Sequence, residues 1–189
     1  MKKTALLIYD SFCNFEISVA LEILALKNKE IVVFAKSKEA IKSEEGLKIL
    51  AEKTIFDLDL NEYDSLLLPG AVDIESAVED PQIIEFVKKF EDKVIGAISI
   101  APILLVKAGL LRGKAFMAGV NKADLLEEGF LEEDLVQMQD WEACINNPEK
   151  EAFIVSGKII TSVAYNFVEF GLQFAKMLGL EISPKSFGK

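Results

Sequence analysis

The stretch VIGAISIAPILL, residues 94–105, decides how the rest of the chain is read. Val94 to Ile98 is a short apolar run of the kind that forms a buried strand, and Pro102 opens a helical pattern through Leu111, where a missing N–H costs nothing. A strand that feeds directly into a helix is half of a βαβ unit, so the segment predicts a parallel sheet. Ser99 stands at the corner between the two. Ala97 and Ala101 lie two positions to either side, the spacing of small residues that a crowded nucleophile elbow requires. Two readings of Ser99 stay open: a reactive hydroxyl held above the sheet beside backbone N–H groups, or an ordinary serine cap on the helix that follows.

The same alternation extends outward in both directions. Thr4 to Tyr9 and Glu30 to Ala35 read as strands flanking a helix from Glu16 to Leu26, and Leu47 to Leu50 as a short edge strand or hairpin. Ser65 to Leu68 is a further buried strand, stopped by the turn signal Pro69-Gly70-Ala71. Asp80-Pro81 supplies an N-cap and first residue for a helix through Phe90. Beyond Gly113 the pattern loosens. Lys114 to Ala118 reads as a strand, Asn121 to Glu128 as a short acidic helix, and Glu132 to Lys150 as an acidic, irregular segment. Ala152 to Val155 and Ile159 to Thr161 form two β segments around Gly157-Lys158, and Asn166 to Leu178 a long final helix. Strands alternating with amphipathic helices predict an α/β fold: a three-layer α-β-α sandwich around a mostly parallel sheet, in one domain over 1–189. In such sheets ligands bind at the carboxyl ends of the strands.

Composition excludes several functions. The 189 residues are 51% hydrophobic, and 31 acidic residues against 21 basic ones leave a formal charge of -10. That field opposes nucleic acid and anionic membrane as partners, and no apolar run approaches the roughly 20 residues a bilayer span needs. The N-terminal lysines and short apolar run do not complete a signal pattern, and the two cysteines make no CxxC spacing, so a reducing, cytoplasmic setting is expected. Histidine is absent altogether. Ser-His and Cys-His pairs within one chain are therefore ruled out, a zinc site is hard to assemble, and neither metal nor cofactor is expected.

Other polar candidates carry weaker signals. Glu16 opens a helix, where the macrodipole favours an acid whatever its role. Cys13 lies in the loop after the first strand, at the expected ligand end of the sheet. Reactive cysteines need a positive or dipolar setting, however, and Asp10 and Glu16 provide neither. Cys144, near Trp141, reads as inert. Lys107 and Lys114 fall away from the serine corner, and the acidic run Glu127 to Asp134 lacks calcium-loop spacing and reads as a solvated face.

The segments TALLIYDSF, LLLPGA, AISIAP and GKIITS together resemble the ThiJ/PfpI family, in the DJ-one superfamily of the class I glutamine amidotransferase-like, flavodoxin-like fold. The resemblance spans nearly the whole chain. Members of that family typically read A-I-C-x-G-P at the corner, which puts Ser99 at the position of the nucleophilic cysteine, Ile100 where histidine often stands, and Ala101 at the glycine. It further implies that Glu16 contacts the nucleophile, and that the Pro69-Gly70-Ala71 turn provides an oxyanion-type N–H from Ala71, beside that of Ile100. Homodimerisation is the family habit.

The departure lies in the chemistry. A serine hydroxyl, unlike a thiol, needs a base during attack, and a carboxylate serves near neutral pH only if its pKa is raised. Two functions follow: a small-molecule hydrolase or related enzyme with Ser99 as nucleophile and Glu16 as proton partner, or a non-catalytic, small-molecule-binding, stress-related or regulatory protein that kept the fold alone.

Overall fold

The computed structural model describes residues 1–146 and 151–189. In chain order the main elements are β1 (Lys3–Leu7), α1 (Ser18–Leu26), β2 (Ile31–Ala35), β3 (Ile41–Lys42), β4 (Lys48–Ile49), β5 (Lys53–Thr54), β6 (Tyr63–Leu68), α2 (Glu75–Val78), α3 (Pro81–Lys88), β7 (Val94–Ile98) and α4 (Pro102–Lys107). There follow β8 (Phe116–Met117), α5 (Lys122–Glu127), α6 (Glu132–Leu135), β9 (Met138–Gln139), α7 (Trp141–Ile145), β10 (Phe153–Ser156), β11 (Ile159–Ser162) and α8 (Phe167–Met177).

Seven strands form the main sheet in the order β10-β11-β7-β6-β1-β2-β5, parallel except where β10 pairs antiparallel with β11. From β1 the chain crosses to β2 on one side. From β6, on the other side of β1, it crosses to β7 in the opposite direction. Right-handed crossovers therefore put α1 on one face and α3 on the other, giving three layers, with α8 returning to pack beside α1. The reversal falls between β1 and β6, the place where doubly wound sheets open a crevice.

Both faces are sealed by aromatic packing. Phe34, Tyr63, Phe86 and Phe90 form a chain of ring contacts beneath α3, while Phe170 and Phe174 of α8 cover Gly96 of β7. Burying each such ring contributes on the order of 2–3 kcal/mol. Two buried polar pairs stand in and beside the sheet: the Thr4 and Ser65 hydroxyls meet at 2.8 Å, and Lys29, 3% exposed, donates to Asp64 at 2.7 Å and to the Lys2 carbonyl at 2.6 Å.

Several expected elements change in detail. The predicted helix from Glu16 begins as a single 3-10 turn over Phe15–Ile17, and regular helix starts at Ser18. The hairpin reading of Leu47 to Leu50 holds, since β4 pairs antiparallel with β3 outside the main sheet. The helix after Pro102 stops at Lys107 rather than Leu111, because Gly109 takes a positive φ of 74°. The stretch expected to be irregular from Glu132 contains α6, β9 and α7, with β9 pairing in parallel to β8. These elements are only two to five residues long, too short for a periodicity to register. The end of that stretch, 147–150, lies outside the described residues. Among the described residues no helix is long and apolar enough to cross a membrane.

Candidate functional site

Register brings three strand ends level. Leu67 of β6 pairs with Gly96 and Leu68 with Ala97 of β7, while Ile98 pairs with Ser162 of β11. The residues just beyond these ends, Gly70 and Ser99, therefore meet above the sheet, and Glu16 reaches them from the loop after β1.

Ser99 has φ of +61°, one of three non-glycine residues with a positive value among those described. The left-handed region costs an L-residue about 1–2 kcal/mol, so the surroundings must hold it there. They do so through its backbone: its N–H donates to the Ser162 carbonyl at 2.8 Å, and its carbonyl accepts from the Gly119 N–H at 2.7 Å. The helix-cap reading is corrected by the same geometry. Ala101, not Ser99, occupies the N-cap position of α4, and no side-chain cap hydrogen bond is made there among the described residues.

Glu16 is 2% exposed and accepts a 2.7 Å hydrogen bond from the Gly70 N–H through Oε2. A Cβ placed on Gly70 would stand 2.6 Å from Glu16 Oε2, 2.7 Å from Ser99 Cβ and 2.9 Å from Ser99 Oγ. Glycine is thus required by proximity at this position, and carboxyl and hydroxyl flank one point in space. Burial is the largest influence on the Glu16 carboxyl and raises its pKa from 4.5 to about 7; the Gly70 N–H and the Ser99 side chain favour the ionised form, while Glu44 and Glu45 oppose it.

The Pro69-Gly70-Ala71 turn is pinned from the β1 side. Tyr9 donates its hydroxyl to the Pro69 carbonyl, and the Cys13 N–H donates to the Gly70 carbonyl at 2.8 Å. Ala71 faces Phe12 in an isolated bridge whose bonds run through the neighbouring residues. Among the described residues, neither the Ala71 N–H nor the Ile100 N–H has an acceptor.

Cys13 is 6% exposed, and its thiol donates to Glu44 Oε2 at 2.8 Å. Burial first, then that hydrogen bond and the charges of Glu16, Glu44 and Glu45, push the thiol well above its usual range. This secondary candidate is thus held as a protonated, non-nucleophilic thiol. Lys107 pairs with Glu79 at 3.1 Å and Lys114 bonds the Leu110 carbonyl at 2.8 Å, so both amines are engaged elsewhere.

Sequence reasoning missed Gly119. A Cβ there would lie 3.3 Å from Ser99 Oγ and 3.5 Å from the Ile100 nitrogen, so this glycine forms part of the wall around the corner. It also missed Glu44, because nothing in a two-residue ribbon shows that the ribbon folds back onto the β1 loop, where the Glu44 N–H bonds the Phe12 carbonyl at 2.9 Å. Beside the corner opens a cavity of about 520 Å³, walled by residues that follow Ala71, Ser99 and Gly119, among them Val72, Ile100 and Val120. Among the described residues no group of three or more acidic, cysteine or histidine side chains is placed to hold a metal ion.

A doubly wound α/β protein with a crevice at its topological switch point, faced by a serine on a left-handed corner and a buried glutamate, is the class that fold and site define. The chain belongs to the DJ-1/PfpI family, which it matches over residues 2–177. It is 28% identical over 140 residues to the protein MJ0967 of Methanocaldococcus jannaschii, covering 70% of this chain and 60% of that one. It is likewise 28% identical over 121 residues to protein/nucleic acid deglycase 2 of Escherichia coli, covering 62% of this chain and 70% of the relative. The DJ-1 superfamily protein Atu0886 of Agrobacterium tumefaciens shares the fold with a TM-score of 0.80 at 20% identity, over 99% of this chain and 94% of its own.

Proposed function

We propose that the protein is a small-molecule hydrolase acting on ester- or amide-class carbonyls, with Ser99 as nucleophile in the place of the family cysteine. The observation that carries this reading is the pairing of a serine held at φ +61° with a buried carboxyl whose pKa stands at about 7. A carboxylate of ordinary acidity is too weak a base for a hydroxyl, whereas one poised near neutrality is a stronger base that is still ionised to a large extent at neutral pH.

In this mechanism the Glu16 carboxylate takes the Ser99 proton as Oγ bonds to the substrate carbonyl carbon. The carbonyl electron pair moves onto oxygen, where the Ala71 and Ile100 N–H groups stabilise it. Collapse of this intermediate breaks the bond to the leaving group, which receives the proton from Glu16 and departs, leaving an acyl ester on Ser99. Water then repeats the sequence: Glu16 takes its proton, the acid product leaves, and the proton returns to Ser99. No metal, cofactor, nucleic acid or membrane enters, which fits a cytoplasmic enzyme and its small substrate. The naming of the Escherichia coli relative as a deglycase supports an active member of this fold.

The test is a panel of activated esters and amides against wild type, Ser99→Ala and Glu16→Gln. Turnover should be lost in both variants, and the wild-type rate should rise with pH and level off above about pH 7 as Glu16 ionises. Undiminished turnover by Ser99→Ala overturns the mechanism. Ligand binding without any turnover leaves the second reading, a family member that binds its small molecule through the same Ser99–Glu16 crevice without chemistry.

A further inference from the structure

The cavity beside Ser99 has a lopsided composition. Its floor is apolar, built from Ile74, Val78, Ile103 and Leu125, each at most 8% exposed, and its mouth carries Asp73, Glu75, Glu79 and Glu128. Among the described residues no lysine or arginine lines it. Ile100 belongs both to this wall and, through its N–H, to the corner where a substrate oxygen would sit. A substrate attached at Ser99 would therefore extend its chain over an apolar floor towards carboxylates.

At one edge of the cavity, two of its lining residues hold a cation that lies outside the lining. The Lys107 ammonium lies 4.6 Å from the centroid of the Phe130 ring and 3.1 Å from Glu79 Oε1, held by an aromatic face and a carboxylate at once. Glu79 is thereby paired with a cation of this chain. Asp73 has a local duty, since its Oδ1 accepts from the Glu75 N–H at 3.1 Å. Glu75 and Glu128, both exposed, keep their carboxylates turned to no cation among the described residues.

We propose, building on the serine-hydrolase reading, that this cleft selects acyl substrates with an apolar chain ending in a cationic group, and that Glu75 and Glu128 attract that group. Apolar burial would hold the chain, and charge complementarity at the mouth would set the preference among chains of equal length. An anionic end would meet uncompensated carboxylates.

Three p-nitrophenyl esters test this: those of hexanoic acid, of trimethylammonio-hexanoic acid and of adipic acid. With exposed carboxylates contributing modestly, kcat/KM should favour the cationic ester over the neutral one about fivefold, and disfavour the anionic one similarly. The double variant Glu75→Gln, Glu128→Gln should bring the cationic-to-neutral ratio towards one, as should high salt. Equal rates for cationic and neutral esters in the wild type, or a ratio that survives the double variant, overturn the proposal. Should no ester turn over, the serine mechanism fails separately. Hexyltrimethylammonium binding to Ser99→Ala protein, followed by calorimetry against neutral hexanol, then decides the cleft's preference by itself. Tighter cation binding that Glu75→Gln, Glu128→Gln abolishes supports it, and indifference to charge refutes it.

Discussion

Replacing Glu16 by Gln should change how stability depends on pH, and by an amount the structure sets. The carboxyl titrates at about 7 in the folded protein against 4.5 when unperturbed, so between these values the folded state holds a proton that the unfolded state has released. Stability from this group is accordingly full below about pH 4.5 and is lost as pH rises through about 7, because ionisation is easier after unfolding. The whole span corresponds to about 3 kcal/mol at 1.36 kcal/mol per pKa unit, and the part falling between about pH 5 and pH 8 is roughly 2–3 kcal/mol. Glutamine removes the titration but keeps an oxygen for the Gly70 N–H, which now bonds Glu16 at 2.7 Å. Urea unfolding of wild type and variant at both pH values isolates the effect, since all other titrating groups are shared. The wild type should lose roughly 2–3 kcal/mol relative to the variant on going from the lower to the higher pH. Parallel profiles would refute a neutral-range Glu16, and with it the base that the proposed mechanism assigns to Ser99.

Further perturbations probe the corner independently. Ser99→Gly should be more stable than Ser99→Ala by about 1 kcal/mol in urea unfolding, because only glycine adopts a φ of +61° without strain; equal stabilities would show that the corner is not held against its preference. Gly70→Ala drives a Cβ to within 2.6 Å of Glu16 Oε2 and should cost about 1–3 kcal/mol while abolishing turnover, measured by thermal melting and ester assay together. Alkylation of native protein by iodoacetamide at about pH 8 should modify Cys13 far more slowly than a free cysteine near pKa 8.5, and Glu44→Gln should speed it. Rapid labelling of the wild type would contradict the protonated thiol.

The corner itself was legible because crowding leaves a local mark: Ala97, Ala101 and Pro102 are small or helix-starting for reasons contained within six residues. The parallel sheet was legible for a related reason, since strands such as Val94–Ile98, buried on both faces, become continuous apolar runs. Glu16 was different. Its position at the start of a helix allowed a macrodipole explanation, and only the family resemblance pointed it inward, where it is 2% exposed. Gly119 and Glu44 left no local mark at all. Each matters because the chain returns to Ser99 or Cys13 from a distant segment, through the Gly119 N–H to the Ser99 carbonyl and through the Cys13 thiol to the Glu44 carboxylate. The short helices α6 and α7 escaped for want of length.

The free-energy cost of this site bears on whether the serine does anything. Holding Ser99 in the left-handed region costs about 1–2 kcal/mol, and keeping Glu16 ionised above neutrality costs about 3 kcal/mol more. Together they take a substantial share of the roughly 5–15 kcal/mol by which a domain is stable. Neither cost is needed to build the sheet or to start α4, whose N-cap is Ala101. A serine whose only task was to begin a helix could sit at that N-cap with ordinary dihedrals, and a glutamate with no task beyond its own satisfaction would be more stable at the surface. Both strained groups instead converge on a single point above Gly70, next to two backbone N–H groups without acceptors among the described residues. That convergence favours a working serine site over an inherited turn, and it locates the decisive measurement in the coupled behaviour of residues 16 and 99: if Ser99→Ala and Glu16→Gln each abolish turnover, the double variant should be no worse than either alone, because the two act as one unit.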